Sequence, residues 1–197
     1  RRARVGVTVE EDGSPGIRSG VEPSTLTEPK ETHDMAKYSF TAPGLAPDKA
    51  DQVIGILQAR LNTYNDLHLT LKHVHWNVVG PSFIGVHEMI DPEVDQVRLN
   101  ADAVAERIAT LGGSPRGTIG AITKTRDWDD YPLERALVPD HLAALDREYD
   151  RVIADNREAM DALEEIDLVT QDLLIGQTGA LEKFQWFVRD HLETAAK

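Results

Sequence analysis

Residues 73–91 read HVHWNVVGPSFIGVHEMID. Three of the chain's seven histidines, His73, His75 and His87, stand here among apolar residues, and Glu88 and Asp91 close the stretch. Imidazoles and carboxylates are costly in a hydrocarbon core unless they are hydrogen-bonded or hold a metal. The stretch also straddles a break. Gly80-Pro81 stops one helical pattern, and a second begins at about Phe83. His75 thus falls at the end of one helix and His87 at the start of the next.

Upstream, Val53, Leu57, Leu61, Tyr64, His68, Leu71 and His75 recur at spacings of three and four, which predicts a helix over 47–77 opened by Pro47 and Asp48. Downstream, a second helix is expected over 83–111, with Pro92 inside it and Gly112-Gly113-Ser114-Pro115 as its stop. Residues 116–136 form a long connection, with a short helix expected over 119–124. A third helix is expected over 139–166 and a fourth over 169–192. No strand-like alternation and no repeat stands out. The fold class is therefore all-α: a four-helix bundle with a short helix in the long connection between helices two and three, the ferritin-like arrangement. Such bundles build metal sites from inward-pointing side chains. The domains expected are a flexible N-terminal arm over 1–37, rich in Gly, Pro, Ser, Thr and Glu, and the bundle over 38–197.

The chain has 197 residues and a formal net charge of −13. An acidic surface attracts cations and repels nucleic-acid phosphates. There is no cysteine, which excludes disulfides and thiolate ligands and fits a reducing cytoplasm. No apolar run approaches the ~20 residues of a membrane span, and no secretory leader is evident.

Geometry limits what the polar residues can do. On the second helix His87 and Asp91 are i,i+4, and so are Asp102 and Glu106. Each pair shares a face, with Cβ atoms about 5–6 Å apart. Asp91 and Asp102 are eleven residues apart, so both pairs lie on one line, but the rise separates them by ~16 Å. Ligand atoms on one metal lie within about 4 Å of each other. One chain cannot close that gap. An antiparallel copy can, by setting its Asp102/Glu106 end against the His87/Asp91 end, with His75 completing the set. Taken singly, each pair is also an ordinary surface pattern, and Arg107 could pair with either acid. His68 and His73 read as structural or surface residues.

HVHWNVVGPSFIGVHEMID, followed by ADAVAERIATLGG at 101–113 and LEKFQWFV near the end, closely resembles the Dps family, the miniferritins. The likeness spans about residues 38–193. It implies a hollow dodecamer and a dinuclear ferroxidase centre at the dimer interface. His75, His87 and Asp91 of one subunit would join Asp102 and Glu106 of the other. Their imidazole and carboxylate donors suit Fe(II), Zn(II) or Mn(II), and the family uses iron; Zn(II) is an alternative occupant. Oxidation by hydrogen peroxide or oxygen and storage of a ferric mineral follow, and with them protection of DNA from oxidative damage. Lys72 and Trp76 would flank the centre, Trp76 as an aromatic able to absorb an oxidising equivalent. Glu165, Asp167 and Asp172 resemble the acidic lining of an iron-entry pore. Glu93 and Asp95 are candidates for mineral nucleation on the inner wall. The resemblance places the protein in the cytoplasm, with nucleoid association as a further expectation.

DNA binding itself is expected to be weak. Residues 1–34 carry five Lys/Arg and seven Asp/Glu, and only Arg1, Arg2 and Arg4 form a basic cluster. Two rival functions stand beside the ferroxidase. One is a DNA-coating shell with little iron chemistry. The other is a zinc hydrolase in which His87-Glu88 begins an H-E-x-x-H motif; Asp91 stands where its second histidine belongs.

Overall fold

The structure, a computed structural model, describes residues 40–193. The arm over 1–37 lies outside the described residues. Five helices and two short strands follow in order: α1 (Pro47–Asn77), β1 (Val78–Val79), α2 (Phe83–Thr110), α3 (Ile119–Thr125), β2 (Ala136–Leu137), α4 (Val138–Leu163) and α5 (Leu168–Leu192). α1 packs chiefly on α2, and α4 on α5. These two hairpins close on each other through α1–α4 and α2–α5 contacts.

The core stripe of α1 runs through Val53, Leu57, Leu61, Tyr64, Leu67, Leu71 and Val74, all buried. It differs from the expected stripe at two turns: Leu67 takes the core where His68 stays half-buried, and Val74 lies deeper than His75, which is itself buried. Each such side chain contributes about 1.5–3 kcal/mol by leaving water. α2 runs unbroken through Pro92, which removes one backbone donor. It ends as expected. Gly112 adopts φ +87, and a Cβ on Gly113 would meet Ile108 and Ile54 at 2.8 and 3.0 Å.

The connection from α2 to α4 is strapped along α1. Gln58 exchanges two 2.9 Å hydrogen bonds with the Arg116 backbone, its Nε2 donating and its Oε1 accepting. Asn62 Nδ2 donates to Thr125 Oγ1 at 2.8 Å, and Trp128 Nε1 donates to Asp66 at 2.8 Å. His73 Nε2 donates to the Leu133 carbonyl at 2.7 Å. These partners sit at i, i+4, i+8 and i+15, one polar line on α1. The strap delivers the chain back to the end of α1. There β2 pairs in parallel with β1, Val78 with Ala136 and Val79 with Leu137. The pairing was not legible in the sequence, because two residues show no alternation.

The α1–α2 turn needs a glycine. Gly80 has φ +98, and a Cβ there would meet Leu137 at 2.9 Å. Gly80→Ala is expected to cost about 1–3 kcal/mol of stability. Urea unfolding measures it, and a loss below ~0.5 kcal/mol would show that the turn relaxes freely.

In the core, Tyr149 Oη donates to Glu93 Oε2 at 2.6 Å. Glu93 is 0 % exposed, so it cannot line an inner wall as the sequence suggested. The i+3 spacing from Ile90 turns it inward with Ile90 and Val97. Burial pushes its carboxyl up to about 7, against the pull of the Tyr149 hydroxyl.

Candidate metal centre

The hairpin turn sets the last turn of α1 beside the first turns of α2, and three candidate ligands meet there. His75 Nδ1 lies 3.0 Å from the carbonyl of His87, and His87 Nδ1 lies 2.8 Å from the carbonyl of His75. A carbonyl only accepts, so each Nδ1 carries the hydrogen. In the neutral rings both Nε2 atoms are then left as lone-pair donors. The rings stack with centroids 3.6 Å apart. Asp91 Oδ1 lies 3.2 Å from His75 Nδ1 and 3.2 Å from Lys72 Nζ. Two imidazoles of fixed tautomer and one carboxylate, its charge balanced by Lys72, thus stand side by side at this turn.

The reciprocal clasp was missed in the sequence. Each imidazole bonds the other's backbone, a relation that exists only once the turn has brought the helices together. Phe83 adds an edge contact on His87, at 6.5 Å between centroids. Trp76 is 70 % exposed, with Lys72 Nζ 5.9 Å from its ring centroid.

Asp102 and Glu106 lie exposed farther along α2. Among the described residues, no three His, Asp or Glu side chains converge on a common ion position. The face that carries these acids also carries Asp91, Asp95 and Arg98, all exposed, while Val86, Ile90, Val94, Val97, Val104 and Ile108 face the core. Arg107 pairs with neither acid. It donates instead to Asp167 at 2.7 Å and to Thr170 Oγ1 at 2.9 Å. His68 and Asp102 share a cleft of about 440 Å³ with Arg98 and Asn65. Burial and the charges of Arg98 and Lys72 hold His68 below its usual 6.5, with Asp95 opposing.

The three acids between α4 and α5 are not equivalent. Glu165 and Asp172 are exposed. The Asp167 side chain is only 9 % exposed and is engaged by Arg107 and Thr170. Its burial would raise its pKa, but the bonds from Thr170 and Arg107 hold it below the usual carboxylate range. Glu88 is exposed beside His87. No helix among the described residues is long and apolar enough to cross a membrane.

Comparison with known proteins bears on the fold and the family. The model of the ferritin-like domain matches residues 54–197. A DNA protection during starvation protein of Mycolicibacterium smegmatis is 68 % identical over 157 residues, 80 % of this chain and 86 % of that protein. The fine tangled pili major subunit of Haemophilus ducreyi is 47 % identical, covering 82 % of this chain and 86 % of that one. The tetragonal form of Mycobacterium smegmatis Dps superposes with a TM-score of 0.79 at 67 % identity, over 80 % of this chain and 97 % of that one. DpsA14 from Streptomyces coelicolor gives 0.79 at 57 % identity, over 82 % and 96 %. The chain belongs to the Dps family of ferritin-like proteins.

Proposed function

We propose that the protein is a ferroxidase and iron store whose oxidation centre is shared between two subunits of a hollow dodecamer. The observation that carries this reading is the clasped pair His75/His87 beside Asp91, with both Nε2 atoms left free. Iron is the substrate. His75, His87 and Asp91 supply one half of its binding site, and Asp102 and Glu106 of the partner subunit supply the other. Asp91 and Glu106 bring the charge that neutralises ferrous iron, and Asp102 orients from the same face. Two Fe(II) ions give up one electron each, and one hydrogen peroxide takes both with two protons to leave two waters. No hydroxyl radical is released, which is how such a shell spares DNA. Oxygen is the alternative oxidant. Mixed imidazole and carboxylate donors also accept Zn(II), but nothing favours zinc over iron here. The hydrolase reading lacks a second histidine one turn beyond His87, where Asp91 stands.

Ferric mineral would collect inside the shell, with exposed Glu165 and Asp172 drawing cations to an entry pore. The cytoplasm is the compartment this chemistry fits. Duplex DNA is expected to show no gel shift at ~150 mM salt, given the acidic balance of −13 per chain.

Subunit mixing tests the shared centre. Asp91→Ala chains and Glu106→Ala chains should each be inert in Fe(II) oxidation. In a mixed dimer the intact His/Asp91 half of one chain meets the intact Asp102/Glu106 half of the other. Random pairing makes half the dimers mixed, each with one working centre, so roughly a quarter of the wild-type rate should return. A co-expressed particle that stays inert would place the whole centre within one chain.

A further inference from the structure

The exposed face of α2 carries a palindromic charge pattern. In the shared centre, His87 corresponds to Glu106 of the other copy and Asp91 to Asp102. Both correspondences have the same midpoint, between Gln96 and Val97. The charged residues flanking that midpoint are Asp95 and Arg98, and they too are symmetric about it. At 100° per residue His87, Asp91, Asp95, Arg98, Asp102 and Glu106 all fall within an arc of about 100°. All but half-buried His87 are exposed. The face also leaves apolar surface open, with Ile84 53 % and Leu99 51 % exposed. Among the described residues, neither Asp95 nor Arg98 joins an ion pair within its own chain.

We propose that α2 docks on α2 of a second copy with Asp95 of each chain paired to Arg98 of the partner subunit, and that these two ion pairs set the antiparallel register on which the centre depends. The occupant of this face is a second copy, because Asp95 and Arg98 complement each other only when the helix meets itself reversed. A parallel partner would set Asp95 against Asp95 and Arg98 against Arg98. Both residues are positioning residues and touch no iron. The inference rests on the shared-centre reading, which supplies the register.

Charge reversal tests it on the full chain. Asp95→Arg alone sets arginine against arginine at both pairs, and Arg98→Asp alone sets aspartate against aspartate. Each variant is expected to weaken the dimer on the order of a hundred-fold, seen as loss of the assembled particle in light scattering and native mass spectrometry. Co-expressing the two restores opposite charges at both pairs, but only between unlike chains. The recovered particle should therefore contain unlike dimers. The double reversal, Asp95→Arg with Arg98→Asp in one chain, should assemble by itself. Assembly of either single variant at wild-type strength overturns the pairing, and so does failure of the mixture or of the double reversal to assemble. Circular dichroism confirms that the singles fold, as exposed positions allow. Particle mass reads the pairing without iron, while Asp91→Ala in an otherwise wild-type chain reads the centre, so the two ideas can fail separately.

Discussion

Asp91→Ala should slow Fe(II) oxidation about a hundred-fold or more while leaving the particle intact. Among the described residues, Asp91 is the carboxylate that reaches the clasped histidines, 3.2 Å from His75 Nδ1. Without it, two neutral imidazoles face a dication with no charge to offset it on their side, and Lys72 stands unpaired beside them. Its side chain is 53 % exposed and its removal leaves no cavity in the core, so fold and assembly should persist. The measurement is near-UV absorbance after mixing Fe(II) with hydrogen peroxide, alongside particle mass. A wild-type rate in an intact particle would remove Asp91 from the centre and the proposed function with it.

The second large effect concerns pH. Glu93 is buried against Tyr149, and its carboxyl is raised from 4.5 to about 7. Between those values the folded chain holds a proton that the unfolded chain has released. Stability is therefore greatest below 4.5 on this group's account, falls as pH rises, and has lost the full contribution above about 7. The 0 % exposure of Glu93 permits a conversion, and the swing is about 3 kcal/mol. Glu93→Gln cannot ionise and still accepts from the Tyr149 hydroxyl. Relative to wild type, the metal-free variant should gain about 3 kcal/mol between about pH 4 and pH 8 in urea unfolding. Parallel stability profiles for the two proteins would show that Glu93 is solvated or differently partnered.

Much of the fold was legible because long helices advertise themselves. Val53, Leu57 and Leu61 recur as a buried stripe, and Gly112-Gly113 ends α2 where its composition says. The division of the candidate ligands along α2 was legible too, since helical rise is fixed by geometry. The clasp between His75 and His87 was not, because it depends on how tightly Gly80 folds the turn. Glu93 misled for a related reason. An acid on a polar-looking helix reads as exposed, and only the arrival of Tyr149 from α4 makes its burial tolerable. Asp167 resembled a pore-lining acid in the sequence, where nothing announces that Arg107 of α2 holds it.

The strap along α1 has a consequence for how the molecule is made. Gln58, Asn62, Asp66 and His73 align only when α1 is already wound, so the segment they fasten has nothing to grip beforehand. The two local hairpins can each collapse early, from contacts near in sequence, while the belt that yokes them waits for a finished rail. Trp128, with the guanidinium carbons of Arg126 and Arg151 5.6 and 4.6 Å from its ring centroid, is less exposed than Trp76 or Trp186. Its fluorescence is thus a natural clock for the moment the buckle shuts.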